Sequence, residues 1–299
     1  MPILPERVGN GIEPCYNIPK LRQLTCRWRQ CWQFFWIVPP ARMTLPEIRE
    51  RLSPNHGSRG DPPNIRAIDM LVLHYTGMQS AAEAIDRLCD PEARVSSHYV
   101  VEEDGAIWRL VPEERRAFHA GISCWEGEQD LNRCSIGIEI VNPGHEWGYR
   151  PFPEVQMAAV ERLCRDILSR HRIPPYRIVG HSDIAPDRKS DPGELFAWRR
   201  LAESGIGLWP TPPVEVVRRR GRGVGVVERS AALADLARIG YCVSSATVQV
   251  AVAAFQRRFR PERWDGLIDG ETRARLKQVR EAVEQARTKA EAARRRRFN

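Results

Sequence analysis

The sequence predicts an α/β fold, a mixed central sheet flanked by helices, followed by a small C-terminal three-helix domain. Two features of the 299-residue chain carry that expectation. Between residues 66 and 210, apolar runs of strand length alternate with segments of helical periodicity, the pattern of a sheet covered by helices. After a stretch rich in Pro, Gly and Arg at 211–229, three further helical segments follow without a strand between them.

Residues 1–65 mix short apolar clusters with Pro, Gly and Arg and read as a poorly structured N-terminal extension, apart from a helix over 44–52 where Thr44 and Glu47 make a capping-box pattern. Met70–Tyr75 (MLVLHY) is a near-continuous apolar run, as in a buried strand. A helix is expected over residues 80–89. Residues 98–102 and 106–111, joined by Asp104-Gly105, make a hairpin, and 135–141 (SIGIEIV) another strand. Residues 154–171 place Val160, Leu163, Cys164, Ile167 and Leu168 at helical spacing and stop before Pro174-Pro175. A short strand at 177–180 and a helix at 194–203 complete this domain, which spans 66–210. The segment 211–229 reads as a linker. The helices expected at 231–239, 246–259 and from 272 onward form the second domain, 230–279, with Val248, Val252, Phe255 and Phe259 as its apolar stripe. Residues 280–299 read as a basic tail that frays.

Composition narrows the class. With 42% apolar and 28% charged residues the chain reads as soluble and globular, and no apolar run approaches the roughly 20 residues that a spanning helix needs. No transmembrane segment and no secretory signal are expected. A start at Met1 or Met43 then implies the cytoplasm, with the periplasm or cell envelope as the alternative. The net charge of +8 suggests nucleic acid until it is localised: residues 66–210 hold 17 basic against 23 acidic side chains, a net −6. With no helix-turn-helix and no interleaving of aromatic and basic residues, a nucleic-acid partner is not expected. Eight cysteines without a CxxC exclude a zinc ribbon. Cys89 and Cys164 fall on apolar helix faces, and pairing of Cys124 with Cys134 is left open.

The chemistry concentrates at strand ends. A hydrolytic zinc site needs three protein ligands and one open position. His74 closes an apolar strand, His181 follows the strand at 177–180, and Asp191 returns ten residues later in a loop bounded by Pro and Gly. If the two strands are neighbours, His, His and Asp meet at one edge. Ordinary surface or hydrogen-bonded histidines are the competing reading.

The segments LVLHYTGM, VSSHYVVEEDG, RAFHAG, LNRCSIGIEIVN and VGHSDIAPDRKSDPG, in that order, closely resemble the AmpD-type zinc N-acetylmuramoyl-L-alanine amidases, relatives of phage amidases and peptidoglycan recognition proteins. The resemblance covers about residues 66–210. It implies that His74, His181 and Asp191 bind zinc (Zn2+), that Glu139 handles the proton of the attacking water, that Lys189 stabilises the oxyanion, and that His119 lines the cleft as a substrate contact. It also implies cleavage of the amide between N-acetylmuramic acid and L-alanine, with peptidoglycan or muropeptide fragments as partners. The alternative is a recognition protein that binds without cleaving. The chemistry agrees: attack on an amide creates an oxyanion and an amine that must be protonated, so a cation and a proton carrier are needed. A second resemblance, carried by IGYCV, AVAAFQRRFRP and DGLIDGETRARL, is to peptidoglycan-binding three-helix domains, although the loop after Tyr241 is short and lacks the usual Asp-Gly.

Overall fold

A computed structural model describes residues 47–62, 64–210 and 226–295. Expectations for the chain before residue 47, for most of the linker and for the last four residues fall outside them. A six-stranded mixed sheet forms the frame, with strand order β1 (Ile48–Glu50), β5 (Ile107–Arg109), β4 (Tyr99–Val101), β9 (Ser135–Ile140), β3 (Met70–Tyr75) and β10 (Ile178–Gly180). Neighbours pair in parallel except β4 and β5, which form the antiparallel hairpin turned at Asp104-Gly105. Two ribbons flank it: β2 (His56–Ser58) with β6 (Arg115–Ala117), and β7 (Cys124–Trp125) with β8 (Glu128–Gln129).

The helices are α1 (Ala81–Cys89), α2 (Gly144–Trp147), α3 (Glu154–Arg170), α4 (His181–Ile184), α5 (Trp198–Glu203), α6 (Val226–Ile239), α7 (Val248–Phe259) and α8 (Gly270–Arg295). Ser80 caps α1 by accepting the Glu83 N–H. Alternation along the central strands sorts the layers. Leu71 and Leu73 of β3 and Ile136, Ile138 and Ile140 of β9 pack under α3, against Val160, Leu163 and Ile167. On the opposite face Met70 and Val72, with Val179 of β10, share a core with Leu236, Val252 and Phe255 of the C-terminal helices.

Four local expectations are corrected. Within the described part of 44–52, Ile48–Glu50 is the edge strand β1 and no helix forms, because Ile48, Arg49 and Glu50 pair with β5. Residues 48–62 are also more ordered than a loose extension: Arg59 is buried and donates to the carbonyls of Glu113, Arg133 and Ser135. The helix at 194–203 is confined to Trp198–Glu203. The basic tail continues α8 through Arg295, held by buried Val283 and by Arg287, which donates to the Arg238 carbonyl. Cys124 pairs with Cys242, 118 residues away, while Cys134 is free and buried. Cys164 is buried and Cys89 half-buried.

Candidate active site

Sheet register brings the predicted residues together. His74 and Glu139 are Cα partners near the carboxyl ends of parallel β3 and β9, so their side chains leave the same face. In β10, Gly180 aligns with Leu73, which places His181, the next residue, beside His74. The loop after α4 returns Asp191, whose carbonyl accepts the Ser182 N–H at 2.8 Å. The carboxyl ends of parallel strands are where open α/β sheets form ligand crevices. Here they floor a cleft of about 570 Å³ lined by His119, Glu139, His181, Lys189 and Asp191.

Three atoms converge there. His74 Nδ1 lies 2.9 Å from His181 Nδ1, and each lies 3.1 Å from Asp191 Oδ2. Hydrogen-bond partners assign the protons. His181 Nε2 faces the Ala120 carbonyl at 3.1 Å and, farther off, Arg188 Nη2 at 3.5 Å; with the nearer carbonyl as its acceptor, Nε2 carries the proton and Nδ1 is bare. Ser135 donates its hydroxyl proton to the Leu131 carbonyl at 2.6 Å, so its oxygen accepts from His119 Nε2 at 3.1 Å. His119 Nδ1 is therefore bare and accepts from His74 Nε2 at 3.0 Å, which leaves His74 Nδ1 bare as well. With these tautomers, two imidazole lone pairs and a carboxylate oxygen face one another, and all three residues are buried. That arrangement is stabilised by a cation, and separations near 3 Å suit a coordination shell with bonds of about 2 Å.

Burial lowers His74 to about 4, the neighbouring His181 adding to the effect and Asp191 opposing it. Burial would raise Asp191, but the charge that His181 and His74 bear when protonated, and the hydrogen bonds they then donate to it, outweigh burial and hold the carboxyl far below its usual range. Glu139 moves the other way: burial, then the Asp191 charge, push it well above the usual range, with Lys189 opposing. Its Oε2 is buried without a hydrogen-bond partner, although the residue reaches the cleft. Lys189 is exposed, and its charge acts on both His74 and Glu139.

His119, expected as a substrate contact, lies against His74 and is itself buried. Asn132 holds its segment by accepting the N–H groups of His119 and Ala120 at 3.0 and 2.9 Å. Gly137 makes room for the ring: a Cβ there would stand 2.4 Å from His119 Cγ. Sequence reasoning missed Ser135, Gly137 and Ala120; the signal it had was a glycine inside an apolar strand, a mark of close approach. His98 is structural, accepting the Gly137 N–H at Nδ1 and facing the Arg115 carbonyl with Nε2.

Fold and site define a hydrolase built around a buried His-His-Asp centre. A family profile for N-acetylmuramoyl-L-alanine amidase (Amidase_2) matches residues 64–194. The amidase AmiD of Escherichia coli is 36% identical over 268 residues, covering 81% of this chain and 95% of that protein. The 1,6-anhydro-N-acetylmuramyl-L-alanine amidase AmpD of Haemophilus influenzae is 33% identical over 178 residues, 54% of this chain and 93% of its own. The structure of AmiD with anhydro-N-acetylmuramic acid-L-Ala-D-gamma-Glu-L-Lys superposes with a TM-score of 0.65 at 37% identity, covering 75% of this chain and 92% of that one. The chain belongs to the N-acetylmuramoyl-L-alanine amidase family.

Proposed function

We propose that the protein is a zinc-dependent amidohydrolase that cleaves the amide between N-acetylmuramic acid and L-alanine in peptidoglycan or muropeptide fragments, with His74, His181 and Asp191 as metal ligands. The observation that carries the reading is the convergence of two buried imidazole nitrogens and a carboxylate oxygen at 2.9–3.1 Å. Two nitrogens and one oxygen with a cleft beside them are the donor set of a catalytic zinc, whose Lewis acidity activates water and polarises a carbonyl.

Glu139 is the proton carrier in this reading. Its unpartnered Oε2 has no competing hydrogen bond, and its raised proton affinity suits a group that takes a proton from water and returns it to the leaving amine near neutral pH. Lys189, on the rim of the same cleft, supplies positive charge where the carbonyl oxygen becomes anionic. The known complex of AmiD with an anhydromuropeptide supports a muropeptide-sized ligand. The disulfide between Cys124 and Cys242 favours an oxidising compartment, and we place the protein in the periplasm or cell envelope on that ground.

Release of stem peptide from purified muropeptides tests the reading. Activity should vanish on exhaustive chelation and return with zinc, and Glu139→Gln should lower kcat by about 10²–10⁴-fold with zinc still bound. Full activity after complete metal removal would refute the metal mechanism. Wild-type turnover by Glu139→Gln would take that residue out of the proton-carrying role.

A further inference from the structure

The corner that presents His181 is held from outside the catalytic sheet. His181 is the first residue of α4, and Asp183, two residues on, is buried beneath it. One Asp183 oxygen, Oδ2, accepts the Gly180 N–H and Arg258 Nη1–H, both at 2.9 Å; the other accepts the Tyr241 hydroxyl. Arg258 belongs to α7, and its Nη2 donates to the Ile178 carbonyl at 3.0 Å. A single guanidinium therefore spans both sides of the strand-to-helix corner, from the start of β10 to α4, with His181 between. It lies over the Trp198 ring at 4.1 Å, and the pair is sealed, with 6% of the Arg258 side chain and 1% of Asp183 exposed.

Tyr241 is anchored in turn. It forms a β-bridge with Trp125, its neighbour Cys242 is disulfide-bonded to Cys124, and the Gly240 carbonyl accepts the Glu126 N–H at 2.7 Å. A Cβ at Gly240 would stand 2.4 Å from the Trp125 ring, so the approach needs glycine. The polar contacts of this buried charge pair converge on the one corner, and a buried pair adds little net stability, so its effect is read in geometry.

We propose that the C-terminal helices are a positioning device for the metal site: Arg258 and Tyr241, acting through Asp183, hold the backbone that aims His181 Nδ1 at His74 and Asp191. The inference rests on the zinc reading above. It makes α7 part of the support of the site, whatever else the C-terminal helices bind.

The test is zinc affinity of the full-length protein, by competition with a fluorescent chelator, beside thermal unfolding with and without zinc. Arg258→Met keeps bulk over Trp198 and removes both donors; it should bind zinc about tenfold more weakly, the range seen when supporting contacts of a metal ligand are lost. Arg258→Lys should recover part of that loss. Val279→Ala, in the buried face of α8, which packs mainly on α6, should lower the unfolding temperature and leave zinc affinity unchanged. Wild-type zinc affinity in Arg258→Met overturns the positioning role. If Arg258→Met does not fold, Tyr241→Phe decides: a weaker zinc complex supports the role and an unchanged one overturns it. His181→Ala separates the two levels, because zinc affinity equal to wild type in that variant defeats the zinc reading itself, whereas an effect there and none in Arg258→Met defeats only the positioning device.

Discussion

Gly137→Ala should weaken zinc binding at the proposed metal site without touching any of its three proposed ligands. Gly137 sits inside β9, and alanine suits that extended backbone, so the effect comes from the added methyl alone. That methyl would stand 2.4, 2.6 and 2.7 Å from Cγ, Cδ2 and Nδ1 of His119. Carbon contacts settle at about 3.5 Å or more, so the ring must retreat by roughly 1 Å. The ring is held by Ser135 at 3.1 Å and by His74 at 3.0 Å, on a backbone whose N–H donates to the Asn132 side chain at 3.0 Å, and a retreat of that size directed away from His74 takes the His74 bond past hydrogen-bond range. Loss of the partner that fixes a ligand histidine costs about 10–100-fold in metal affinity or activity, which is about 1.4–2.8 kcal/mol. Overpacking adds about 1–3 kcal/mol of lost stability. Zinc titration and kcat/KM on a muropeptide, with thermal unfolding alongside, measure all three. Wild-type zinc affinity together with an unchanged unfolding temperature would refute the claim that the ring is held where it is.

Lys189→Met should lower kcat by about 10²–10³-fold with little change in KM, as expected for a charge that acts on the developing oxyanion. Because Lys189 is exposed, its unfolding temperature should stay close to wild type, and steady-state kinetics with thermal unfolding check both. Glu113 gives a pH signature: burial would raise its carboxyl, but hydrogen bonds from Arg170, His171 and Tyr99 prevail and hold it at about 2 against an ordinary 4.5. A depressed carboxylate stabilises fully above pH 4.5 and loses that stabilisation as pH falls toward 2, here about 2 kcal/mol after allowing for screening. Glu113→Gln should flatten the acid limb of the stability profile in urea unfolding. Replacing Cys124 and Cys242 together with serine should cost about 2–4 kcal/mol, read from the urea midpoint, because the bond closes a loop of more than a hundred residues.

Much of the site was legible because its information is local. His74 and His181 end short apolar strands, and Asp191 follows ten residues later in a loop stiffened by Pro186 and Pro192, so the sequence itself carries their proximity. The register that sets Glu139 beside His74 follows from the alternation in SIGIEIV once β3 and β9 are neighbours. The supporting contacts were not legible. Asp183 and Arg258 are 75 residues apart, and Cys124 and Cys242 are 118 apart; neither composition nor periodicity carries a signal over such separations. The edge strand β1 was misread for a related reason. Thr44 and Glu47 favour a helix start locally, whereas pairing with β5 overrides that preference, as tertiary context commonly does for three-residue strands.

The same burial that hides these contacts makes the histidine cluster workable. Desolvation holds His74 at about 4, His98 at about 3 and His119 well below the ordinary imidazole value, so at neutral pH none of the three carries charge. Neutral rings can donate from one nitrogen and leave the other bare, which lets the Leu131 carbonyl, Ser135 and His119 dictate, bond by bond, that the lone pair of His74 faces the cleft. Protonation of any ring in that series would reverse a donor and turn a proton toward the ligand set. Under the proposed zinc reading, burial of His119 is what keeps the His74 lone pair toward the cleft, a part that the Ala120 carbonyl plays for His181.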